Sequence, residues 1–149
     1  MSTSQKVVVV TGASQGIGAE TVKAFRKLDY RIVATARSIK PSEDPNIVTV
    51  AGDIADPATA RRVIAEGVAR FGRIDTLINN AGVFIAKPFT GYTSEDYASV
   101  TGVNLNGFFY ITQLATPKWR RTTAPRGQHH DQPDRPRHRR CAVGTGVAD

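Results

Sequence analysis

The sequence predicts an α/β protein with a doubly wound parallel sheet, which carries helices on both faces. Short apolar segments with strand character alternate with longer segments in which apolar residues recur at helical spacing. The first apolar segment, residues 7–10, is a run of valines, which is typical of a strand buried on both faces. A glycine-rich turn joins this run to the first predicted helix, and a helix is the usual connection between two parallel strands.

The first strand, turn and helix are predicted within residues 6–28. Glycines interrupt the valine run over residues 12–18 and predict a tight turn. Beyond the turn, Ile17, Thr21, Phe25 and Leu28 follow one another at helical spacing.

Two further strands and a second helix follow. Arg31–Ala36 and Ile47–Ala51 are apolar, and a proline-containing loop separates them. Asp56 is predicted to cap the second helix, because Pro57 suits its first position. Gly72 is predicted to end that helix.

A short fourth strand and a long last helix complete the predicted elements. Thr76–Ile78 is the strand, and residues 94–116 form the helix, with Thr93 or Ser94 as its cap. No later strand is recognised, so the fourth strand is expected to form an apolar edge of the sheet.

The charge is concentrated in the last part of the chain. The 149 residues carry a formal net charge of +7, of which residues 1–117 contribute +2 and residues 118–149 contribute +5. Residues 1–117, which contain the predicted strands and helices, are predicted to form one domain. Residues 118–149 are rich in Arg, Pro and His and show no apolar periodicity. A shifted reading frame near residues 116–119 is our hypothesis for this tail, and disorder is the alternative.

Several protein classes are excluded by composition. No stretch approaches the roughly 18 consecutive apolar residues of a membrane span. Residues 1–6 are polar, so no secretory signal is expected. Cys141 is the one cysteine, which excludes an intramolecular disulfide and favours a reducing, cytoplasmic location.

The glycine turn has the chemistry of a phosphate-binding loop. Gly12, Gly16 and Gly18 let the backbone approach a phosphate, and the next helix presents free N–H groups and a positive dipole. The Lys and Ser/Thr of an ATP-hydrolysing loop are missing after these glycines. The position between strand and helix predicts a Rossmann-type dinucleotide site.

Four separate motifs agree with this interpretation. They are TGASQGIG at residues 11–18, Gly-Asp-Ile at 52–54, Asn-Asn-Ala-Gly at 79–82 and Val-Asn-Leu at 103–105. On the basis of these motifs the chain resembles the classical short-chain dehydrogenase/reductase family from residue 6 to about residue 116. The resemblance implies further strands beyond the fourth, so the sheet of about four strands is expected to be incomplete. The resemblance implies an oxidoreductase that transfers hydride between a nicotinamide cofactor and a carbonyl or alcohol substrate.

The resemblance also implies a set of cofactor-binding residues. They are Gly12, Ser14, Gln15, Gly16, Ile17, Gly18, Arg37, Asp53, Ile54, Asn80, Ala81 and Gly82. Asp53 would accept a hydrogen bond from the adenine amino group, and the alternative is a turn-forming aspartate. The backbone of residues 80–82 would approach the cofactor. For Asn79 the alternative is a structural amide that ties adjacent strands.

The residue after the second strand indicates the type of cofactor. An acid at this position would bond the free ribose hydroxyl of NAD, whereas a cation suits the 2′-phosphate of NADP. The sequence has Arg37 here and no acid, so NADP(H) is the predicted preference, with NAD(H) as the alternative. A solvated surface charge is the alternative for Arg37.

Most of the family's catalytic residues are missing. The resemblance implies a serine, a tyrosine, a lysine four residues after that tyrosine, and a helix asparagine. None of Tyr30, Tyr92, Tyr97 and Tyr110 has lysine at that spacing, and no serine follows the one at position 99. Asn104 alone matches, and a helix amide bonded to backbone is its alternative. The 149 residues are therefore expected to be inactive or nearly so.

Other functions remain as alternatives. A dinucleotide-binding module without catalysis is the main one. Nucleic-acid binding is disfavoured, because the tail arginines at 135, 137, 139 and 140 belong to no recognisable nucleic-acid fold. The histidines at 129, 130 and 138 match no metal-ligand pattern, so no metal is expected. The resemblance implies a small-molecule substrate, and a homo-oligomer built partly on the helix that carries Asn104.

Overall fold

The computed structural model describes residues 5–118. Their core is a parallel sheet of four strands in the order β3–β2–β1–β4. The strands are β1 (Val7–Thr11), β2 (Arg31–Ala36), β3 (Ile47–Ala51) and β4 (Thr76–Ile78). The parallel sheet and its strand bounds confirm the predicted fold class.

Helices cover both faces of the sheet. They are α1 (Gly16–Lys27), α2 (Pro57–Phe71), α3 (Ser94–Thr101) and α4 (Phe108–Ala115). The apolar core has two parts, one between the sheet and α1, the other between the sheet, α2 and α4. This is the doubly wound arrangement that the sequence predicts.

The valine run of β1 supplies both parts of the core. Val7 and Val9 belong to the cluster on the α2 side, and Val8 and Val10 belong to the cluster on the α1 side. All four are 0% exposed. Because successive side chains of a strand point to opposite faces, a central strand needs apolar residues at every position.

The apolar spacing of α1 is only partly explained by contact with the sheet. Val22 and Phe25 pack against the core, and Phe25 meets Tyr30 edge to face, with ring centroids 5.0 Å apart. In contrast, Ile17 is 79% exposed and Leu28 is 67% exposed. These two residues sit at the ends of the helix, where the chain leaves the sheet surface.

Both predicted ends of α2 and the predicted start of α3 are confirmed. The side chain of Asp56 accepts a hydrogen bond from the backbone N–H of Ala58 at 2.8 Å, and Gly72 adopts a left-handed φ of 75°. Of the two candidate caps for α3, Thr93 is the one used, and it forms a reciprocal capping box with Asp96.

The predicted helix over residues 94–116 is interrupted in its middle. Gly102–Gly107 is π-helical and separates α3 from α4. A Cβ at Gly107 would lie 2.8 Å from Ile54 Cγ2, and one at Gly102 would lie 3.4 Å from the Cβ of Ala55. The π segment therefore brings the backbone close to the turn after β3, which a hydrophobic pattern alone does not reveal.

Within residues 5–118, β4 pairs with β1 alone and forms an edge of the sheet. None of the helices in this part of the chain is long and apolar enough to cross a membrane. Lys118 ends a short 3₁₀ turn, Thr116–Lys118. The frame-shift and disorder hypotheses for the tail, and the predictions for its cysteine, arginines and histidines, concern residues 119–149, which lie outside the described residues.

Candidate functional site

A cleft opens at the carboxyl ends of the parallel strands. Its volume is about 460 Å³. It brings together eleven of the predicted cofactor residues, namely Gly12, Ser14, Gln15, Gly16, Ile17, Arg37, Asp53, Ile54, Asn80, Ala81 and Gly82. The carboxyl edge of an open parallel sheet is the position where such folds bind ligands.

Gly18, the remaining predicted residue, lies beneath the loop and does not line the cleft. A Cβ at this position would overlap the carbonyl oxygen of Gly12 and would lie 2.6 Å from Asn80 Nδ2. The absence of a side chain at Gly18 therefore lets α1 begin directly against the end of β1.

The start of α1 borders open space that no side chain fills and that a ligand can occupy. Gly16 has a φ of 54°, and a Cβ there would have no neighbour within 4 Å. The N-cap residue, Gln15, makes no side-chain hydrogen bond to the helix, and the first turn of α1 contains no acid. An uncapped helix N-terminus that faces an open cleft fits an anionic group such as a pyrophosphate.

A network of hydrogen bonds joins the glycine loop to the segment after β4. The buried Thr11 hydroxyl accepts the backbone N–H groups of Asn80 and Ala81, each at 3.0 Å. The Asn80 side chain donates to the carbonyl oxygens of Thr11 at 3.1 Å and Gly12 at 3.2 Å. This network fixes the floor of the cleft.

The amide that ties adjacent strand ends is therefore Asn80. The alternative role given above for Asn79, an amide that ties adjacent strands, is wrong. Asn79 turns to the other side, where its Nδ2 donates to the hydroxyl of Thr112 in α4 at 3.1 Å. The two asparagines differ because successive residues of an extended segment face opposite sides.

Arg37 stands at the end of β2, beside the cleft. The Arg37 side chain is exposed. Within residues 5–118, its guanidinium forms neither an ion pair nor a side-chain hydrogen bond. The strand end that carries it is fixed, because Ala13 N–H donates to Thr35 O at 3.1 Å and Gly52 N–H donates to Ala36 O at 3.2 Å. The charge is thus presented at the edge of the cleft from a rigid strand.

Asp53 both lines the cleft and forms a turn. Its Oδ1 accepts the backbone N–H of Ala55 at 2.9 Å, and its carbonyl oxygen accepts the N–H of Asp56 at 3.1 Å. The turn-forming alternative is therefore observed. It is compatible with a binding role, since the exposed side chain also reaches the cleft.

Asn104 lies beside a second, smaller cavity of about 90 Å³, which shares Ile54, Ala81 and Val103 with the cleft. Its side chain donates to Val83 O at 2.9 Å and accepts from Val83 N–H at 2.8 Å. The alternative of an amide bonded to backbone is thus observed, with the backbone of a neighbouring loop as partner. No tyrosine of residues 5–118 lines either cavity.

Six lining residues were not among the predicted cofactor residues. They are Thr35, Ala36, Ser38, Gly52, Val83 and Val103. Gly52 and Val103 belong to quoted motifs and the other four lie within two positions of Arg37 or Gly82, so proximity along the chain could have indicated them. Their contact with the cleft depends on how the loops fold back, which spacing alone does not predict.

The family model described as short chain dehydrogenase matches residues 6–128. An uncharacterised oxidoreductase of Methylorubrum extorquens is 36% identical over an alignment that covers 74% of this chain and 49% of the relative. The chain thus spans about half the length of this curated relative.

Solved structures show the same similarity. A short-chain dehydrogenase/reductase from Brucella melitensis matches with a TM-score of 0.72 and 28% identity, covering 76% of this chain and 50% of the other. A blue fluorescent protein from a metagenomic library, solved in complex with NADPH, matches with a TM-score of 0.69 and 30% identity, covering 76% of this chain and 51% of the other.

Proposed function

Because the chain belongs to the short-chain dehydrogenase family of oxidoreductases, we propose that its cleft binds NADP(H). The observation that carries the proposal is the geometry at the start of α1. Gly16 leaves open space, Gly18 lets the helix start against β1, and no side chain caps the helix. The backbone N–H groups of this first turn would hold the pyrophosphate.

The remaining predicted residues would hold the adenosine half. Arg37 would bind the 2′-phosphate, because a planar guanidinium makes paired, charge-assisted hydrogen bonds with phosphate. Asp53 would accept from the adenine amino group. The solved neighbour in complex with NADPH supports a phosphorylated cofactor, and NAD(H) remains the alternative ligand.

When bound, the nicotinamide supplies hydride to a carbonyl, or accepts it from an alcohol. In this chain Asn104 would hold the loop at Val83 beside the second cavity. No tyrosine in the 149 residues has a lysine four positions later, so the group that lowers a catalytic phenol's pKa is missing from them. We therefore propose that residues 1–149 alone bind the cofactor and do not turn over.

The binding test is a fluorescence titration of the 149-residue chain with NADPH and with NADH. We expect tighter binding of NADPH.

Arg37→Asp should weaken NADPH binding at least about tenfold, since a charge-assisted pair is replaced by repulsion, and should affect NADH binding much less. Arg61→Asp, an exposed site on α2, makes the same charge change away from the cleft and should leave the preference intact.

Two results would contradict these statements. A flat titration at millimolar cofactor would remove dinucleotide binding altogether. An unchanged NADPH/NADH ratio in Arg37→Asp would remove the assigned role of the arginine.

The proposed inactivity, which a binding module without catalysis would share, is tested by a turnover assay. Purified residues 1–149 should consume no NADPH with a panel of aldehydes and ketones. Sustained consumption would refute the proposed inactivity. The cytoplasmic location, the homo-oligomeric state and the carbonyl or alcohol substrate stay predictions.

A further inference from the structure

Arg62 holds the turn after β3 from outside the cleft. Gly52 and Asp53 of this turn line the cleft, whereas Arg62, on α2, does not. Its Nη2 donates a hydrogen bond to the carbonyl oxygen of Ala51, the last residue of β3. A charged donor on a carbonyl oxygen makes one of the stronger protein hydrogen bonds.

The same guanidinium packs directly on the turn. A Cβ at Gly52 would lie 2.7 Å from Arg62 Nη2 and 2.5 Å from Thr59 Oγ1. Thr59 is buried, at 3% exposed, and fixes the inner side of this contact. The position of the backbone at Gly52 is therefore set by two side chains of α2.

Before Asp56, the other hydrogen bonds of the turn are internal or run to β2. Ala55 N–H donates to Asp53 Oδ1, Asp56 N–H donates to Asp53 O, and Gly52 N–H donates to Ala36 O. At the far end of the turn, Asp56 accepts from the backbone N–H groups of Ala58 and Thr59 at the start of α2. Among the side-chain hydrogen bonds of residues 5–118, the bond from Arg62 is the one that joins α2 to the backbone ahead of Asp53.

We propose that Arg62 is a positioning residue for recognition of the adenine base. By holding Ala51 and Gly52 it places the Asp53 carboxylate where that group accepts a hydrogen bond from the adenine amino group. Arg62 touches neither the base nor the phosphates and acts through the turn. This inference rests on the proposed binding of NADP(H) in the cleft.

The experiment compares NADPH with its deaminated analogue, nicotinamide hypoxanthine dinucleotide phosphate. The analogue carries an oxygen in place of the adenine amino group and leaves the phosphates and nicotinamide unchanged. The wild-type chain should bind NADPH about fivefold more tightly than the analogue, as expected for one hydrogen bond. Arg62→Met should bring this ratio close to one.

Matched variants control the result. Arg61→Met removes the same charge from the neighbouring, exposed position and should keep the wild-type ratio. Arg62→Lys retains a cation and a donor, so it should give an intermediate ratio. A variant that only loosened the fold would lower the affinity for both dinucleotides equally and leave their ratio unchanged.

The outcomes separate this inference from the proposed function. If the wild-type chain binds no NADPH, the proposed function fails and the inference fails with it. If the wild-type chain binds NADPH and Arg62→Met keeps the fivefold ratio, the inference alone is overturned. A wild-type ratio of one also overturns it, because the turn then does not distinguish the amino group.

Discussion

At the scale of single residues, the shape of the cleft depends on a glycine position where no side chain fits. It also depends on asparagine side chains that each form two hydrogen bonds to backbone. Gly18 is buried against the carbonyl of Gly12 and the side chain of Asn80. Asn80 and Asn104 each hold backbone of another segment with their side-chain amides. Each of these residues acts through close contact, so small substitutions should have measurable effects.

Gly18→Ala should destabilise the fold and weaken NADPH binding. The added methyl would overlap the carbonyl oxygen of Gly12, and overpacking of this kind costs about 1–3 kcal/mol. Urea denaturation and an NADPH titration measure the two effects. Gly91→Ala is the control, because a Cβ there would have its nearest neighbour at 3.9 Å. Equal stability of the two variants would contradict the close approach at Gly18.

Asn104→Ala should lower the free energy of unfolding by about 1 kcal/mol, because both hydrogen bonds to Val83 are lost from an exposed site. Denaturation curves monitored by circular dichroism provide the measurement. The control is Asn106→Ala, two residues away on the same segment and also exposed. If both alanine variants unfold at the same urea concentration, the tie between Asn104 and Val83 contributes nothing.

At the scale of elements, helix ends and the π segment place the functional residues. Asp56 caps α2 and thereby starts the helix that carries Arg62. The π segment contains Asn104 and packs its two glycines on the turn after β3. It therefore contacts the turn after β3 on one face and the loop at Val83 on the other.

The capping box of α3 should make stability sensitive to acid. The hydrogen bond from Lys87, followed by that from the Thr93 backbone, holds the pKa of Asp96 below its usual range. The resulting stabilisation is complete above the ordinary aspartate pKa and is lost as pH falls through the lowered value. Urea midpoints at pH 6 and pH 3 should therefore differ, and Asp96→Asn should reduce the difference.

Part of the acid sensitivity should persist in Asp96→Asn. The pKa of Asp44 is also lowered, first by its hydrogen bond from Arg26 and then by one from the Asn46 backbone. Glu43→Gln, in an exposed loop, is the control. A pH dependence identical in wild type and Asp96→Asn would show that the capping box does not respond to protonation.

At the scale of the whole molecule, the described residues leave an apolar surface on the last helical segment. Leu105 is 60% exposed, Phe108 is 50% exposed and Phe109 is 54% exposed. Clustered exposed apolar side chains of this kind mark interaction surfaces in folded proteins. The resemblance to the family implies an oligomer built partly on this segment.

Phe109→Lys should therefore shift the chain towards a monomer in sedimentation velocity experiments over a range of concentrations. A lysine would have to be desolvated if this surface were covered by another copy. Gln113→Lys introduces the same charge at an exposed position one turn later on α4 and should leave association unchanged. Identical sedimentation of both variants and the wild type would exclude this surface as the contact.

The sequence by itself predicted the elements whose causes are local. The valine run of β1, the cap at Asp56, the cap at Thr93 or Ser94 and the glycine loop each depend on residues a few positions apart. The candidate cofactor residues could be named because the local motifs that carry them resemble those of a known family, and eleven of these candidates line one cleft. Those interactions are formed within one strand or one turn, so a reader of the sequence can recognise them.

Only the tertiary structure decided which side chains tie these motifs together. Asn80 rather than Asn79 joins the strand ends across 69 residues, and Asn104 holds Val83 across 21 residues. The π segment and the contact of Arg62 with the turn after β3 also depend on helices packing over the sheet. The direction in which a side chain points is set by its segment's orientation in the fold, and residue spacing does not encode that orientation.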